Sequence, residues 1–207
     1  MLIPFKDIYK QFSLKISGIF HIGAHECEEL RDYMSHNINP QQIYWVEALD
    51  HKVILMKAQN IPNIYQAIID EVDNKDVTFN ISNNGQSSSL LEFGTHSIHH
   101  PHVKFTGTIQ GKTKRLDTLI EENNIPIQHL NFLNLDIQGV ELRALKSMEK
   151  YLSHIDYIYT EINTDYVYKD CNLVGEIDEY LKNFGFTRVA TQIASNFGWG
   201  DAFYIKQ

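Results

Sequence analysis

Short apolar runs alternate with amphipathic segments along most of the chain, and this alternation constrains the fold more than any other feature. "SGIFHIG" and "QIYWVEAL" have the composition of buried strands, and "HLNFLNLDI" is the longest such run. The segments between the runs have apolar residues three or four positions apart; "VELRALKSMEKYL" carries Leu142, Leu145, Met148 and Leu152 on one helical face. Strands that alternate with helices predict an α/β fold, with a mostly parallel sheet and helices on both faces.

The order of the segments also predicts where the sheet departs from parallel pairing. Two βα units and a third strand come first, and an inserted hairpin and loop over residues 76–112 precede two more βα units. "TRVATQIA" and "GWGDAFYIKQ" close the chain as a hairpin, which places one antiparallel strand in the sheet. We expect one domain over residues 1–207, with residues 1–17 as a helical extension and the insert near the active site.

Charge and cysteine usage narrow the partners and the compartment. The formal net charge is −8, whereas a protein that binds a nucleic-acid backbone needs a concentrated basic face. The two cysteines, Cys27 and Cys171, lie far apart and indicate a reducing compartment. No apolar run approaches about 20 residues, and the N-terminal residues do not resemble a signal peptide. We therefore expect a cytoplasmic protein without stable membrane insertion and without a nucleic-acid partner.

The stretch "IFHIGAHECEEL" passes from an apolar strand to polar residues through a single glycine, Gly23. Dinucleotide loops use further glycines, which let the backbone approach a pyrophosphate closely. We expect the next helix to begin at His25, which places Glu26, Glu28 and Glu29 in its first turn, where they would repel a phosphate. The pattern therefore favours S-adenosylmethionine, a cofactor without phosphate, over NAD.

Acidic residues at strand ends are the first candidates for a site, because ligands of open α/β sheets bind at the carboxyl ends of the strands. Glu47 ends the second strand, about 20 residues beyond the first turn, where nucleotide-binding folds place an acid on the ribose hydroxyls. Asp136 ends the most apolar strand, so we expect it to be partly buried at the crevice and close to Glu141 and Glu161. It could hold a substrate hydroxyl, act as a base, contact an amine, bind a metal or cap the following helix.

Several segments occur in an order that is specific when they are taken together. "FHIGAHECEE", "YWVEAL", "AIID", "GQSSSL", "RLDTLI", "FLNLDIQGVELRALKSM", "YIYTEI" and "GWGDAFYI" follow one another from about residue 18 to the end of the chain. In this order the chain resembles the FkbM-type S-adenosylmethionine-dependent methyltransferases. The resemblance implies a class I methyltransferase fold, with a seven-stranded sheet whose last strand is antiparallel. It also implies O-methyl transfer, commonly onto sugar or polyketide hydroxyls.

The resemblance assigns roles to particular residues of this chain. It implies that the first turn lines the methionine part of the cofactor, that Glu47 holds the ribose and that Asp136 lies beside the reactive methyl group. The full set of implied cofactor residues is His21, Gly23, Ala24, His25, Glu47, Asp70 near the adenine, and Ser87 and Ser88 at the border of the cleft. The chain departs from the family pattern at His21, where relatives often carry aspartate, and at Cys27, which replaces a frequent glycine.

A cluster of histidines lies in "THSIHHPH", at His96, His99, His100 and His102. Zinc sites need a regular set of cysteine and histidine ligands, and the chain offers no nearby cysteine, so we expect no metal site. A substrate-facing loop is the better interpretation, and one of these histidines could act as a general base.

Three functions fit the pattern to different degrees. The favoured one is O-methylation of a small-molecule or glycan acceptor with S-adenosylmethionine as cofactor. The first alternative is an NAD-type oxidoreductase on a similar sheet. The second is a cofactor-binding module that keeps the fold without catalysis.

Overall fold

The computed structural model describes residues 1–207, in which ten strands and seven α-helices follow one another. The strands, numbered in chain order, are β1 Ile19–Ile22, β2 Ile43–Glu47, β3 Ile64–Gln66, β4 Ile68–Ile69, β5 Asp76–Ser82, β6 Phe105–Lys114, β7 Phe132–Leu135, β8 Tyr157–Asn163, β9 Phe186–Ile193 and β10 Trp199–Lys206. The helices are α1 Phe5–Gln11, α2 Leu30–Ser35, α3 Asp50–Ala58, α4 His96–His99, α5 Leu116–Glu122, α6 Glu141–Ser147 and α7 Val174–Lys182. Short 3-10 turns lie at Pro40–Gln42, Ile127–His129 and Glu149–His154.

Seven strands form the central sheet in the order β3-β2-β1-β7-β8-β10-β9. The pairs β2–β3, β1–β2, β1–β7 and β7–β8 are parallel, and β10 is antiparallel to both β8 and β9. The predicted fold class is confirmed: an α/β fold with a seven-stranded, mostly parallel sheet and an antiparallel last strand. The order reverses between β1 and β7, so the carboxyl ends of these two neighbouring strands flank a crevice.

Helices cover both faces of this sheet because its central strands are buried on both sides. On one face α5, α6 and α7 pack on alternate strand residues such as Phe20 and Leu133. On the other face α1, α2 and α3 pack on Ile19 and Phe132. Residues 1–17 belong to this second layer, since Phe5 of α1 meets the ring of Tyr33 edge-on at 4.9 Å.

A second, three-stranded sheet has the order β4-β6-β5 and corrects the predicted third strand. "NIYQAIID" is not one strand, because its first half pairs with β2 and its second half pairs with β6. The change of partner occurs at Ala67, whose backbone N–H donates to the carbonyl oxygen of Glu47 at 3.0 Å. The hairpin of β5 and β6 thereby continues the fold beyond the edge of the central sheet.

One predicted helix start is wrong. The helix expected from His25 begins at Leu30, because His25 and Cys27 have left-handed backbones with φ of 45° and 55° and cannot continue a right-handed helix. In α3, Asp50 is the first helical residue and Leu49 occupies the cap position. None of the helices combines the length and the apolar composition that a membrane crossing needs.

Candidate functional site

A cavity of about 570 Å³ opens at the carboxyl ends of β1, β2, β7 and β8 and is closed on one side by the segment between β5 and β6. Most of the predicted site residues line it: His21, Gly23, Ala24, His25, Glu47, Ser87, Ser88 and Asp136. Asp70 does not. No lysine or arginine is among the lining residues, whereas six acidic residues are: Glu28, Glu29, Glu47, Asp136, Glu161 and Asp201.

Gly23 shapes the first turn, which follows β1. Its φ is +91°, and a Cβ at this position would lie 1.8 Å from the carbonyl oxygen of Asp136. The N–H groups of Gly23 and Ala24 both donate to the carbonyl oxygen of Val46 at 2.9 Å. The glycine is therefore required because three strand ends pack closely here, independently of any phosphate.

Glu47 has a fixed carboxylate at the end of β2. Its Oε2 accepts a hydrogen bond from the backbone N–H of His25 at 2.8 Å, and its Oε1 accepts one from the N–H of Leu49 at 2.9 Å. Burial raises the pKa of this carboxyl, and these backbone donors act against the rise. Each oxygen keeps a lone pair for a hydroxyl of a ligand.

The acids after Gly23 lie in an irregular turn and not in a helical first turn as predicted. His25 Nδ1 and Glu28 Oε1 are 2.6 Å apart, and Lys52 Nζ donates to Glu26 Oε1 at 3.1 Å. Although burial acts in the opposite direction, the hydrogen bonds from His25 and a backbone N–H lower the pKa of Glu28 to about 2. The negative charges are thus partly paired within the turn, and a helix dipole plays no part in placing them.

His21 lies at the floor of the cavity, and only 2% of it is exposed. Its Nδ1 is 3.1 Å from the hydroxyl of Tyr33, which also accepts a hydrogen bond from Asn134 Nδ2 at 2.9 Å. The ring of Trp45 lies 4.7 Å away, centroid to centroid. Burial lowers the pKa of His21 to about 4, so the imidazole is neutral at physiological pH.

Asp136 follows β7 and is exposed to solvent within the cavity, so the prediction that it is partly buried is wrong. The turn places its carboxylate outside the apolar layer to which β7 belongs. Gln138 Nε2 donates to Asp136 Oδ1 at 2.6 Å and to Glu161 Oε2 at 2.7 Å. Tyr168 donates its hydroxyl proton to Gln138 Oε1 at 2.5 Å, which fixes the orientation of the amide.

Glu161 and Glu141 differ in what they do near Asp136. Burial, together with the nearby carboxylates Asp136 and Glu141, raises the pKa of Glu161 well above its ordinary value. Glu141 turns back and accepts hydrogen bonds from the N–H groups of Ile137 at 3.0 Å and Gly139 at 3.1 Å. The expected gathering of acids is present, but Glu141 fixes the turn after β7. Val140 occupies the N-cap position of α6 without a side-chain hydrogen bond.

The serines of "GQSSSL" hold the segment between β5 and β6 against the site. Ser88 Oγ donates to the carbonyl oxygen of Gly85 at 2.8 Å and accepts from the N–H of Ser82 at 3.0 Å. Ser87 Oγ accepts from Asn84 Nδ2 at 3.0 Å. Ser89, which the sequence did not single out, is fully buried and donates to the carbonyl oxygen of Gln138 at 2.7 Å.

Asp70 lies outside the cavity, and its expected place beside the adenine is corrected. The chain leaves the central sheet at Ala67, so Asp70 follows β4 of the second sheet. Its carboxylate lies 3.7 Å from Lys75 Nζ and 3.7 Å from Arg143 Nη1. The wall at this end of the cavity is apolar and consists of Ala48, Ala67, Ile68, Ile69, Phe79 and Leu90.

Three of the four clustered histidines, His96, His100 and His102, also line the cavity. The segment was expected to be a loop, but residues His96–His99 form the short helix α4. His96 stacks on Phe93 with ring centroids 4.3 Å apart, and burial, followed by the neighbouring histidines, lowers its pKa to about 4. Its Nδ1 is buried without a hydrogen-bond partner. No group of three or more metal-binding side chains is arranged to hold an ion.

Sequence reasoning did not identify Gln138, Tyr168 or Asp201 as site residues. Gln138 lies within the "LDIQGVE" segment, but its role depends on a left-handed backbone with φ of 58°. The residue type of glutamine does not predict this conformation. Tyr168 comes from the irregular segment between β8 and α7. Asp201 lies on β10, lines the cavity and accepts hydrogen bonds from Tyr159 and from the backbone N–H of Leu2.

Comparisons with known proteins agree with this architecture. The family model described as the methyltransferase FkbM domain matches residues 21–188. That span begins in β1, ends in β9 and contains the cavity residues His21, Glu47 and Asp136. No curated protein matches the chain significantly in sequence.

The fold is shared with solved methyltransferase structures. The chain is similar to magnesium protoporphyrin IX methyltransferase (ChlM) from Synechocystis PCC 6803 with bound S-adenosylhomocysteine, with a TM-score of 0.51, 7% identity and coverage of 91% of this chain and 69% of that chain. It is also similar to M. capricolum TrmK in complex with S-adenosylhomocysteine, with a TM-score of 0.51, 10% identity and coverage of 100% and 69%. At these identities the likeness concerns the fold alone.

Proposed function

The chain belongs to the FkbM family of methyltransferase domains, and on that premise we propose that it transfers a methyl group from S-adenosylmethionine to a hydroxyl oxygen of a glycan or another small molecule. The observation that carries the proposal is the convergence of Gly23, Glu47 and Asp136 on one cavity at the carboxyl edge of the sheet.

The residues of the cavity fit this cofactor. A volume of about 570 Å³ lies in the range of small-molecule sites. Glu47 can accept the two hydroxyl protons of a ribose, because both of its oxygens are fixed by backbone donors and keep free lone pairs. The apolar wall that contains Ala48, Ile68 and Phe79 suits an adenine ring, and His21 and Gly23 lie where the amino-acid end would bind.

The charge of the cavity supports a phosphate-free, positively charged cofactor over NAD. Six acidic residues line it, and no lysine or arginine does. A pyrophosphate would therefore meet carboxylates without a lysine or arginine side chain to pair with. We retain the NAD-dependent reaction only as an outcome of the test below.

The protein's part in methyl transfer is positioning and proton removal. The cofactor supplies a methyl group that its sulfonium already activates. An acceptor hydroxyl must lose its proton, and Asp136 is placed to take it because its carboxylate is exposed in the cavity. Gln138 fixes that carboxylate through the 2.6 Å hydrogen bond to Oδ1. Burial, followed by the carboxylates of Asp136 and Glu141, raises the pKa of Glu161, which favours the protonated form of this acid beside Asp136.

The acceptor would lie between Asp136 and the wall that contains His96, His100 and Trp199. Histidine and tryptophan rings offer faces and hydrogen-bonding atoms to a polyhydroxylated ring, and the acids disfavour an anionic acceptor such as a nucleic acid. His100 and His102 are alternative bases. We place the reaction in the cytoplasm, because Cys27 and Cys171 are both free thiols.

Calorimetric titration of the purified protein with S-adenosylhomocysteine and, separately, with NAD tests the cofactor. We expect S-adenosylhomocysteine alone to bind, and E47A to weaken it by on the order of tenfold or more. The control is D76N, since Asp76 lies on an exposed strand and pairs only with Lys112. Binding of NAD alone would indicate an oxidoreductase, and binding of neither would indicate a module without this catalysis. Formation of S-adenosylhomocysteine from S-adenosylmethionine with a panel of neutral glycosides then tests the acceptor class.

A further inference from the structure

We infer that His96 is a specificity-determining residue of the acceptor site: its Nε2–H donates a hydrogen bond to an acceptor oxygen other than the one that is methylated, and its ring takes no part in proton removal. The inference rests on the proposed function and narrows the acceptor class. An acceptor of this kind has at least two oxygens a short distance apart, as a glycoside has and a simple alcohol has not.

Backbone hydrogen bonds fix His96 at the wall of the cavity. The N–H groups of Gly94 and His96 both donate to the carbonyl oxygen of Val167, at 2.9 Å and 3.1 Å. The two segments approach so closely that a Cβ at Gly94 would lie 2.1 Å from the carbonyl oxygen of Tyr166. His96 is therefore held by the segment that follows β8, and not by the short helix α4 alone.

The ring of His96 is held by aromatic neighbours. Phe93 lies in the middle of a stack of three rings, 3.9 Å from Phe105 and 4.3 Å from His96, centroid to centroid. The planes are nearly parallel, with angles of 13° and 7°. A ring fixed in this way presents its nitrogens in set directions, which is what selection between similar ligands requires.

Tyr168 connects this ring to the proposed base. Its ring lies 5.7 Å from that of His96, and its hydroxyl donates to Gln138 Oε1 at 2.5 Å. The amide of Gln138 in turn donates to Asp136 Oδ1 at 2.6 Å. His96 and Asp136 line the same cavity. One acceptor molecule can therefore meet Asp136 with the reacting hydroxyl and His96 with a second oxygen.

The hydrogen on the His96 ring lies at the nitrogen that a ligand can reach. Only 6% of His96 is exposed, and Nδ1 is sealed from solvent without a partner. Nε2 makes no hydrogen bond within the protein either, but it is not sealed. A buried N–H without an acceptor is tolerated less readily than a buried lone pair, so Nδ1 carries the lone pair and Nε2 the hydrogen.

This arrangement makes His96 a neutral donor and excludes it as the base. Its one lone pair is at the sealed Nδ1, where no acceptor proton can arrive. Burial, followed by the neighbouring His100, His102 and His99, lowers the pKa of His96 to about 4, so the ring is uncharged near neutral pH. An uncharged N–H favours a hydroxyl or ether oxygen without attracting an anion.

Kinetics with the best neutral glycoside of the panel and with its monodeoxy derivatives, which keep the methylated hydroxyl, test the contact. We expect one derivative to lower the wild-type kcat/KM by on the order of ten- to a hundredfold, mainly through KM. H96F keeps a ring against Phe93 and removes both nitrogens. It should have a similarly low kcat/KM with the parent glycoside and lose little more with that derivative, because both changes remove the same contact. Its kcat should stay within about threefold of the wild-type value.

Two conservative variants and one neighbouring histidine sharpen the test. H96Q places an amide N–H near the position of Nε2 and should retain most of the preference, whereas H96N places its amide near Nδ1 and should lose it. H99F is the matched control, because His99 belongs to the same helix and is not among the residues that line the cavity. Its kinetics should match those of the wild type.

Three kinetic outcomes would reject the role of His96 and leave the proposed function intact. They are the absence of any deoxy penalty in the wild type, a penalty that persists unchanged in H96F, and a fall in kcat of H96F by on the order of 10²-fold or more, which is the effect of losing a base. Turnover of none of the neutral glycosides would overturn the proposed acceptor class and the inference together.

Nitrogen-15 NMR of the wild type keeps the inference testable if H96F fails to fold. At neutral pH the ligand-free protein should show a hydrogen on Nε2 of His96 and a bare Nδ1. The Nε2–H resonance should shift when the same glycoside saturates the complex with S-adenosylhomocysteine. An Nδ1–H tautomer, or an Nε2–H resonance that does not move at saturation, would overturn the inference.

Discussion

Asp136 is the side chain whose loss should separate methyl transfer from cofactor binding. In D136N the shape and the hydrogen bond from Gln138 can persist, but the proton acceptor is gone. We expect kcat to fall by on the order of 10²–10⁴-fold, with the Kd for S-adenosylhomocysteine changed by less than about threefold. Kinetics and calorimetry on the same preparation measure the two effects. D76N serves as the matched control, and full turnover by D136N would exclude Asp136 as the base.

The backbone conformation of Gly23 should make the free energy of unfolding sensitive to substitution at this position. In G23A the new Cβ would lie 1.8 Å from the carbonyl oxygen of Asp136, on a backbone with φ of +91°. We expect the free energy of unfolding in urea to fall by more than about 2 kcal/mol. Gly107 has no atom within 4 Å of an added Cβ, so G107A should change it by less than about 0.5 kcal/mol. Equal losses of unfolding free energy in G23A and G107A would show that the turn after β1 can accommodate a Cβ, against this prediction.

Glu161 should make stability depend on pH in a particular direction. Its pKa is raised in the folded protein, first by burial and then by Asp136 and Glu141. The folded state therefore keeps a proton that the unfolded chain releases above about pH 4.3. The stability from this group is fully present below that pH and is lost as pH rises toward the folded pKa.

Replacement of Glu161 by glutamine should remove that dependence. The difference in unfolding free energy, E161Q minus wild type, should grow by up to about 1.4 kcal/mol per pH unit from about pH 5 upward. Urea unfolding at several pH values measures it. The control is E179Q on the exposed side of α7, which should leave the pH profile unchanged. A constant difference across this range would mean that Glu161 is ionised in the folded state.

At the scale of single residues, the sequence predicted the positions that follow from sheet geometry. Gly23, Glu47 and Asp136 end parallel strands, and such ends converge on one edge whatever the loops do. The predicted place of Asp70 is wrong because the chain changes its pairing partner at Ala67. This change requires that β6 offer an unpaired edge to β4. The role of Gln138 was not predicted because it needs a left-handed backbone at this residue and a hydrogen bond from Tyr168, which is 30 residues away in sequence.

Among the structural elements, the segment between β5 and β6 is attached to the turn after β7 through Ser89. Ser89 Oγ donates to the carbonyl oxygen of Gln138 and accepts from the N–H of Leu91 at 3.0 Å. We expect S89A to lower the free energy of unfolding by about 1–3 kcal/mol, because two partly buried backbone groups lose their partner. Limited proteolysis within residues 83–104 should also become faster. S97A, at an exposed hydroxyl of α4, is the control; equal proteolysis of S89A and S97A would argue against the anchor.

Elements with regular periodicity were predicted well, and those set by tertiary contacts were not. The strands β1, β2, β7, β8 and the closing hairpin follow from apolar runs and turn residues alone. The start of α2 at Leu30 does not, because His25 and Cys27 adopt left-handed backbones that favour glycine. Backbone donors to Glu47 and the contact between His25 and Glu28 stabilise that turn, and both become visible only once the strands are assembled.

For the molecule as a whole, the net charge and the charge of the cavity side chains are both negative, so both repel an anionic ligand. The chain has a formal net charge of −8, and the cavity has acids without lysine or arginine. Narrow, low-dielectric clefts strengthen the field of the charges that line them. Under the proposed function, the same acids that favour a sulfonium cofactor would disfavour an anionic acceptor, so we expect the choice of cofactor and the choice of acceptor to have one electrostatic origin.

This common origin predicts how the enzyme should treat a phosphorylated acceptor. If a neutral glycoside is methylated, the same glycoside with a phosphate away from the reacting hydroxyl should have a KM higher by on the order of tenfold, since a like charge is brought near the acids. The penalty should shrink as ionic strength rises from about 0.01 M to about 0.15 M, because the Debye length falls from about 30 Å to about 8 Å. A coupled assay for S-adenosylhomocysteine measures both. A penalty that does not respond to salt would indicate steric exclusion, and a lower KM for the phosphorylated acceptor would place the acceptor outside the acidic cavity.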